Sequence, residues 1–475
     1  MSTSIETGAV SEAEVIEVRN PATGELLGTV TAATADGVED AIAAAQDGRR
    51  AMAALPAHAR ADLLMRVADG ITERAEELAR LLASENGKPI LQTRGEVAAA
   101  IRIFRGFAEE SKRLFGRQVP LDAVPGLEHD LAFTIREPLG VVAAIVPFNY
   151  PVELYAHKAA AALAAGNAVI VKPPEKCPLA LVEIAGIVAD AGPPAAAHQL
   201  VHGGPQVAQA LARSAGVQFI SLTGSTAAGR AIAELAAHSL KRVHLELGGN
   251  DPMIVCADAD VDKAAEAVVL GRLARGNGQI CCAVKRVFVE AEVYDEMAER
   301  LTEKATALVV GDPLDERTDV GPLITETAAR AVEASVAASV EGGATLAAGG
   351  TRDGAFIAPT VLTSVRPDEP VVAEEVFGPV APLVRVQSAD EALAHANASP
   401  YGLQAAVFTA DIRRAFSLAR RLEVGGVVIN GSSALRAENL SFGGVKLTGN
   451  ARESIHDTLL DMTDEKAIIV MDALA

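Results

Sequence analysis

The chain has 475 residues, 50% of them apolar, with 40 Gly and 23 Pro, and this length and composition predict about two or three domains with sizeable cores. Its 62 Asp and Glu outnumber its 42 Lys and Arg, and the resulting formal net charge of −20 disfavours nucleic acid and anionic membranes as partners. No run of about 18 apolar residues is present to span a bilayer, and four Cys are too few for a disulfide framework in a chain of this length.

The N-terminal stretch "MSTSIETGAVSEAEVIEV" is acidic and has no apolar centre, so it differs from a secretory signal. Together with the sparse cysteines, this predicts a cytoplasmic protein. The nine His are scattered without helical ligand spacing and no Cys-x-x-Cys occurs, so no metal site is expected.

Residues 36–116 are predicted to be helical. The segment 57–87 repeats apolar residues at intervals of three and four, and Gly87 is typical of a helix end. Residues 117–138 contain Pro and then alternate polar and apolar residues, which indicates a hairpin or an extended arm.

From residue 139 the pattern changes to short apolar runs that alternate with Ala-rich helical stretches. The runs are "GVVAAIV", "NAVIVKPP", "HQLVHG", "VQFISLTG" and "RVHLEL". Such alternation predicts a parallel, doubly wound α/β sheet. Ligands bind beyond the carboxyl ends of these strands, where this sequence places "PFNYP", "KPPEK" and "TGSTAAGR".

A second alternating series runs from "DPMIVCAD" to "GGVVING" and predicts a second α/β domain. The tail "DEKAIIVMDAL" reads as a short strand without an obvious partner nearby. Such a strand is expected to pair with another segment or with a neighbouring subunit.

Three residue positions are candidates for chemistry. Cys281 and Cys282 follow a Gly-Gln pair, so Cys281 is either an exposed nucleophile at a turn or a small buried apolar residue. Glu246 lies in an otherwise apolar strand and is either a general base or a surface-facing carboxylate. Asn149 follows a strand and either donates to an oxyanion or forms an Asn turn.

The cofactor motif of ordinary Rossmann domains, Gly-x-Gly-x-x-Gly, follows none of the strands. "LTGSTAAGR" does open a helix after a strand, with Gly224 and Gly229 on either side of Ser225. The first N–H groups of that helix are suited to a pyrophosphate, although this turn alone is weak support.

The ordered combination of seven motifs is far more specific, and with it the chain resembles the aldehyde dehydrogenase superfamily from about residue 17 to about residue 472. The motifs are "PFNYP", "KPPE", "TGSTAAG", "ELGGNDP", "GQIC", "EEVFGP" and "FGGVKLTGNARE". The resemblance implies an α/β fold with a Rossmann-like cofactor domain, a catalytic domain and a β oligomerisation arm. The implied ranges are 1–116 and 139–250 for the cofactor domain, 251–440 for the catalytic domain, and 117–138 with 455–475 for the arm.

The resemblance also implies a role for each matching residue. Cys281 matches the nucleophile, Glu246 the general base, Asn149 the oxyanion donor and Lys158 a lysine of the proton relay. The matching cofactor residues are Lys172 and Glu175 at the adenosine ribose, Gly224, Ser225 and Gly229 at the phosphate-binding turn, and Glu375 with Phe377 at the nicotinamide ribose. Cys281 would then attack the aldehyde, hydride would pass to the nicotinamide, and Glu246 would activate water to release the acid.

The substrate is less well defined by the sequence. The chain is similar to the branch of the superfamily that handles lactaldehyde, semialdehydes, phosphonoacetaldehyde and glyceraldehyde phosphate, so a small polar or anionic aliphatic aldehyde is expected. Tyr150, Ile280 and Arg436 are the expected substrate-binding residues, and Arg102 is a further candidate at the tunnel mouth. For each Arg, a solvated surface charge is the more common outcome.

The carboxylate of Glu175 favours NAD over NADP, because it would repel a 2′-phosphate. The resemblance implies a homodimer or homotetramer. Four alternatives stay open on the residues alone: a CoA-acylating dehydrogenase, an aromatic-aldehyde dehydrogenase, a cysteine hydrolase and a non-catalytic protein of this fold.

Overall fold

The computed structural model describes residues 14–474. Residues 1–13, expected in the cofactor domain, and residue 475, expected in the arm, lie outside the described residues. The chain begins with an antiparallel hairpin, a helical layer and two strands of the arm. These elements are β1 (Val15–Arg19), β2 (Leu26–Thr31), α1 (Ala35–Ala54), α2 (Ala57–Glu73), α3 (Ala75–Asn86), α4 (Ile90–Glu110), β3 (Gln118–Val119) and β4 (Leu131–Pro138).

The predicted doubly wound sheet follows, with every pair of neighbouring strands parallel. Its elements are β5 (Val141–Ile145), α5 (Pro151–Ala165), β6 (Ala168–Lys172), α6 (Leu179–Asp190), β7 (His198–Leu200), α7 (Pro205–Arg213), β8 (Phe219–Thr223), α8 (Thr226–Ala237) and β9 (Arg242–Glu246). The strand order is β7-β6-β5-β8-β9.

Both faces of this sheet are covered, which explains the continuous apolar runs of its strands. In β5, Val142 and Ala144 pack into the core on one face, while Val141, Ala143 and Ile145 pack into the core on the other. The helix α5 lies at the centre of the molecule, and all of its residues are buried.

The second α/β unit is a seven-stranded sheet in the order β12-β15-β16-β11-β10-β18-β19. The elements of this part of the chain are β10 (Asp251–Val255), α9 (Val261–Val268), β11 (Val284–Glu290), α10 (Tyr294–Thr306), α11 (Glu326–Glu341), β12 (Thr345–Ala348), β13 (Arg352–Asp353), β14 (Phe356–Ile357), β15 (Thr360–Thr363), α12 (Pro370–Ala373), β16 (Val380–Val386), α13 (Ala389–Asn397), β17 (Tyr401–Gly402), β18 (Gln404–Phe408), α14 (Ile412–Arg421) and β19 (Gly426–Ile429). Only β12 runs antiparallel to its neighbour in this sheet.

The C-terminal elements return to the first domain. They are β20 (Val445–Lys446), α15 (Ile455–Asp461) and β21 (Thr463–Val470). The helix α15 packs against α5 and α4, and β21 pairs antiparallel with β4 over its full length, from Thr463 opposite Pro138 to Val470 opposite Leu131. The tail strand thus pairs with another segment of the same chain, which is one of the two arrangements expected from the sequence.

Among residues 14–474, no helix combines the length and the apolarity needed to cross a membrane. The same residues contain no group of three or more His, Cys, Asp and Glu placed to hold a metal ion. All four Cys are free thiols.

Candidate active site

Cys281 lies in a tightly held loop before β11. The helix α9 continues as a wider π-helical turn over Val269–Ala274, and the chain then takes a left-handed conformation at Gly276, Asn277 and Gly278. The buried Asn277 anchors the loop, because its Nδ2 donates to the carbonyls of Gly87 at 3.0 Å and Pro322 at 2.9 Å. The loop therefore presents Cys281, which is half-buried, at a fixed position.

Asn149 faces the same loop from the carboxyl end of β5. Its Nδ2 donates to the carbonyl oxygen of Gln279 at 3.0 Å, and its own carbonyl accepts from Lys88 Nζ at 2.7 Å. The side chain is buried and lines the same pocket as Cys281. A neutral amide held beside a nucleophile is a suitable donor for a developing oxyanion.

Glu246 ends β9 as a buried carboxyl group. Within residues 14–474, its Oε1 has no hydrogen-bond partner. Burial, reinforced by the negative charge of Glu453, raises the pKa of Glu246 well above its usual value, and charge on Cys281 acts in the same direction. A Cβ on Gly443 would lie 2.9 Å from this oxygen, so glycine leaves the carboxyl group room. These properties suit a general base.

The Cys281 thiol also requires activation. Contact with the neighbouring Cys282 thiol and burial together raise the pKa of Cys281 well above its usual value, while Lys285 and Arg436 oppose the rise. Lys285 donates to the Cys281 carbonyl oxygen. A nearby base or cation is therefore needed to form the thiolate that attacks.

A buried ion-pair network lies behind the pocket and includes Glu453. This residue ends the motif "FGGVKLTGNARE" but was not among the residues predicted for the site. Lys158 Nζ lies 3.4 Å from Glu453 Oε1, and Arg436 pairs with the other oxygen of Glu453. Although burial opposes it, these two cations hold the pKa of Glu453 well below its usual value. The positive charge of Lys158 thus acts on Glu246 and lowers its pKa. The residue that Lys158 contacts directly is Glu453.

The pocket in front of Cys281 shares four lining residues with a larger outer cavity of about 470 Å³. Tyr150, Ile280 and Arg436, the expected substrate residues, line the inner pocket, and Arg102 lines the outer cavity. Arg275 lines both cavities. It was not predicted as a site residue, although it lies shortly before the "GQIC" motif in the segment "ARGNGQIC". No local pattern distinguishes it from a surface arginine.

The carboxyl edge of the first sheet brings together most of the expected cofactor residues. Lys172 ends β6 and donates from Nζ to the Pro173 carbonyl at 3.1 Å, and burial lowers its pKa while Glu175 raises it. At the start of α8, Ser225 accepts from the Ala228 N–H at 3.2 Å, leaving the earlier N–H groups of the helix without an acceptor inside it.

One close glycine contact fits a dinucleotide at this edge. A Cβ on Gly229 would lie 2.5 Å from Leu247 Cδ2, so the glycine lets α8 approach the chain beyond β9. With the free N–H groups of α8 and the basic Lys172, the edge has the composition of a site for a pyrophosphate and a ribose.

Glu375 and Phe377 lie at the other side of this edge, beside the loop of Cys281. Glu375 Oε1 lies 2.9 Å from Lys285 Nζ in an ion pair and accepts a hydrogen bond from the Gly249 N–H at 3.2 Å. The Phe377 ring packs edge-on against Phe148, with the ring centroids 5.9 Å apart. Through these contacts with Gly249 and Phe148, Glu375 and Phe377 lie against the loops that follow β9 and β5 of the first sheet.

Comparison with known proteins agrees with this geometry. The profile of the aldehyde dehydrogenase family matches residues 9–468. The chain is 40% identical over 459 residues to a 3-sulfolactaldehyde dehydrogenase of Priestia aryabhattai, covering 96% of this chain and 95% of that protein. It is 37% identical to a lactaldehyde dehydrogenase of Methanococcus aeolicus, covering 96% and 97%.

A crystal structure of an NADP-dependent glyceraldehyde-3-phosphate dehydrogenase from Bacillus halodurans, complexed with NADP, superposes with a TM-score of 0.94. It shares 39% identity, over 97% of this chain and 96% of that one. The resemblance inferred from the seven motifs and the predicted α/β fold are both confirmed. The chain belongs to the aldehyde dehydrogenase family, whose members are oxidoreductases that act on aldehydes with NAD(P).

Proposed function

We propose that this protein oxidises a small aliphatic aldehyde to its carboxylic acid through a thioester on Cys281. The observation that supports this most directly is the arrangement around one pocket. Cys281 and Asn149 line it together, and Glu246, a buried carboxyl group with a strongly raised pKa, is close enough for charge on Cys281 to affect it. A bound nicotinamide supplies the acceptor for hydride.

Each of these residues has a distinct task in the proposal. The Cys281 thiolate forms the carbon–sulfur bond to the aldehyde, and the resulting oxyanion accepts hydrogen bonds from Asn149 Nδ2 and from the backbone N–H of Cys281. The Asn149 amide, which faces the Gln279 carbonyl at 3.0 Å, has a second N–H to donate. Glu246 then takes a proton from the water that cleaves the thioester.

Lys158 and Glu453 are proposed to carry that proton away from Glu246. Glu453 is kept ionised by Lys158 and Arg436, and its charge raises the pKa of Glu246. A base with a raised pKa accepts a proton readily and must then pass it on. The charges of Glu453 and Lys158 both act on Glu246, and the two residues form a buried ion pair, so this pair is the proposed route for the proton.

Transfer of the acyl group to coenzyme A instead of water is the main alternative. The buried Glu246 favours hydrolysis, because a transfer to a thiol cofactor does not need a base for water. Glu246→Gln should therefore release a burst of NADH of one equivalent or less per active site and then stall, since the hydride step precedes the step that the base serves. Rapid mixing measures the burst.

The matched control is Glu341→Gln, the same chemical change at an exposed position on α11, which should keep steady turnover. If Glu246→Gln also turns over steadily, Glu246 is not the hydrolytic base. If the stalled variant resumes when coenzyme A is added, and wild type needs coenzyme A too, the enzyme is acylating.

We also propose a preference for NAD over NADP. The support is Glu175, whose carboxylate lies near Lys172 at the carboxyl end of β6 and 3.1 Å from the position of a Cβ on Gly204. A carboxylate accepts hydrogen bonds from ribose hydroxyls and repels a 2′-phosphate. Comparing the Kd of NADH and NADPH tests this directly, and it is a demanding test because the Bacillus halodurans enzyme holds NADP.

Two further proposals concern where and in what form the enzyme works. A cytoplasmic location is supported by four free thiols, since oxidising compartments favour disulfides. Assembly into a homodimer or homotetramer is supported by the sheet that β21 and β4 form, which has an unpaired edge in the single chain. Fractionation of the source cells and light scattering on the purified protein test the two proposals.

A further inference from the structure

A proton that Glu246 gives to the Lys158–Glu453 pair is still inside the protein. Both side chains of that pair are fully buried. On the side of the substrate pocket, Glu453 also pairs with Arg436, whose Nε lies 3.5 Å from Glu153 Oε1. A guanidinium stays charged and has no acceptor for a proton, so Arg436 closes this side. The proton therefore leaves the pair in another direction.

Polar atoms without a partner are concentrated around Glu246. Among residues 14–474, fourteen buried side-chain nitrogen and oxygen atoms have no hydrogen-bond partner. Seven of these fourteen atoms belong to five residues, which are Glu246, Thr223, Ser221, His244 and His157. Buried polar atoms almost always bond to the protein or to an internal water. This concentration therefore predicts internal water between the five side chains.

Four of the five residues form a polar block (Ser221, Thr223, His244 and Glu246) on one face of the first sheet. Ser221 lies opposite His244, and Thr223 lies opposite Glu246, in the parallel pairing of β8 with β9. Side chains two residues apart on a strand point to the same face. Phe219, two residues before Ser221, packs into the core that contains α5. The polar block is therefore on the α5 side of the sheet.

The fifth residue, His157, connects the polar block with the ion pair. It is fully buried and directly precedes Lys158 on α5. Burial lowers the pKa of His157 to about 3, and the charges of Glu453 and His244 also affect it, Glu453 raising it and His244 lowering it. The ring is thus neutral at neutral pH, with one nitrogen that donates and one that accepts. Such a group can take part in a hydrogen-bonded chain that conducts a proton.

The polar block meets solvent at Asp461, the last residue of α15. His244 Nδ1 lies 3.4 Å from Asp461 Oδ2. The Asp461 side chain is 52% exposed, whereas the His244 side chain is 1% exposed. His244 therefore lies between the buried part of the polar block and a carboxylate that exchanges protons freely with water.

We infer that His244 conducts the proton of Glu246 to Asp461, and so to solvent, through internal water in the polar block. The Lys158–Glu453 pair delivers the proton to this route, and His157 lies where α5 meets it. The route serves the hydrolysis proposed above, so the inference rests on the proposed function.

One proton leaves by this route for each thioester that is hydrolysed. The water oxygen bonds to the acyl carbon, the carbon–sulfur bond breaks, and Cys281 leaves as a thiolate. One proton of the water moves to Glu246 and then outward. The imidazole of His244 gains one proton and loses one, so the step requires no further reactant.

Stopped-flow measurement of NADH separates hydrolysis from the earlier hydride step. In His244→Leu, the rate of the first turnover should match wild type, because hydride transfer precedes the release of this proton. Steady turnover should fall at least about ten-fold, which is less than the roughly 100- to 10,000-fold typical of losing a general base itself. Imidazole added at constant pH should restore part of the steady rate of His244→Ala and leave wild type unchanged.

Asp461→Asn tests the surface end of the route with a substitution that does not disturb the core. Its steady turnover should also fall while the first turnover is unchanged. Asp190→Asn, the same change at the exposed last residue of α6, should behave as wild type. His198→Leu, on the opposite edge strand β7, should keep the wild-type ratio of steady to first turnover.

Normal steady turnover in both His244→Leu and Asp461→Asn overturns the inference, as does an equal loss of first and steady turnover without rescue by imidazole. A high-resolution crystal structure is a test that needs no turnover. Ordered water should bridge Ser221 Oγ and the His244 ring, and a polar block without water overturns the inference whatever the activity. A wild type that forms no acid from any aldehyde contradicts the proposed function instead.

Discussion

The adjacent cysteines at positions 281 and 282 differ in exposure. Both line the pocket, but Cys281 is half-buried. Cys282 is 4% exposed, and its carbonyl accepts a hydrogen bond from Ser433 Oγ at 2.8 Å. Of the two, Cys281 is better placed to reach a substrate.

Cys281→Ala should therefore abolish aldehyde oxidation while leaving the Kd of NADH nearly unchanged, because the thiolate forms the covalent bond and the cofactor residues lie elsewhere. Cys282→Ala should keep most of the activity. Steady-state assays together with NADH fluorescence titration measure both. If Cys282→Ala is inactive and Cys281→Ala is active, the nucleophile is Cys282 and not Cys281.

The proposed preference for NAD rests on Glu175. Replacing it by Ser should raise the ratio of kcat/KM for NADP over NAD by about ten-fold, since removal of a like-charge repulsion of about 1.4 kcal/mol corresponds to that factor. Titration with NADH and NADPH should show the same change in Kd. Equal use of both cofactors by wild type, or a ratio that Glu175→Ser does not move, contradicts the assignment.

The loop element before Cys281 depends on the backbone of Gly278. This glycine has a φ of +74°, and a Cβ on it would lie 2.3 Å from the carbonyl carbon of Gly378. Gly24 has almost the same φ, +75°, with nothing within 4 Å of its would-be Cβ. Alanine substitutions at these two positions therefore distinguish the cost of backbone strain from the cost of a steric clash.

Gly24→Ala should lower the free energy of unfolding only by the strain of a positive φ, about 1–3 kcal/mol. Gly278→Ala carries the same strain plus a clash with backbone that cannot rotate away, so it should be clearly less stable and should lose most aldehyde oxidation. The midpoints of urea unfolding and the specific activities measure this. Equal losses in the two variants would mean that the loop moves freely to accept a side chain.

Elements with local patterns were predictable from the sequence. The five strands from residue 139 and the helices between them were predictable because short apolar runs alternate with Ala-rich helical stretches and are bounded by turn residues. The end of α3 was predictable from one residue, Gly87. The pairing of β21 with β4 was not predictable in this way. The two strands are separated by more than half of the chain, and neither contains a sequence pattern that identifies the other as its partner. The pairing of Arg436 with Glu153 and Glu453 was hidden for the same reason.

At the scale of the whole molecule, the sheet β21-β4-β3 leaves β21 at an edge. Apolar side chains there are exposed, with Ile469 57% and Met471 63% accessible. An exposed apolar edge strand is a surface for pairing with another chain. We therefore expect light scattering at micromolar concentration to show a dimer or tetramer.

A double variant, Ile469→Lys with Met471→Lys, should shift the protein toward smaller species, because two charges would be desolvated on association. Val340→Lys, the same kind of change on an exposed apolar residue of α11, should leave the assembly intact. If the wild-type protein is monomeric under these conditions, the proposed oligomeric state is wrong.

The antiparallel pairing of Thr463–Val470 with Leu131–Pro138 also has a consequence for biosynthesis. When the ribosome has finished β4, the strand that covers its edge has not yet been made. At roughly 5–20 residues per second, the wait is about 15–65 s. Throughout this wait, including after β9 has completed the five-stranded sheet, β4 keeps an open edge, so a nascent chain halted before residue 463 should be a substrate for chaperones and prone to aggregate.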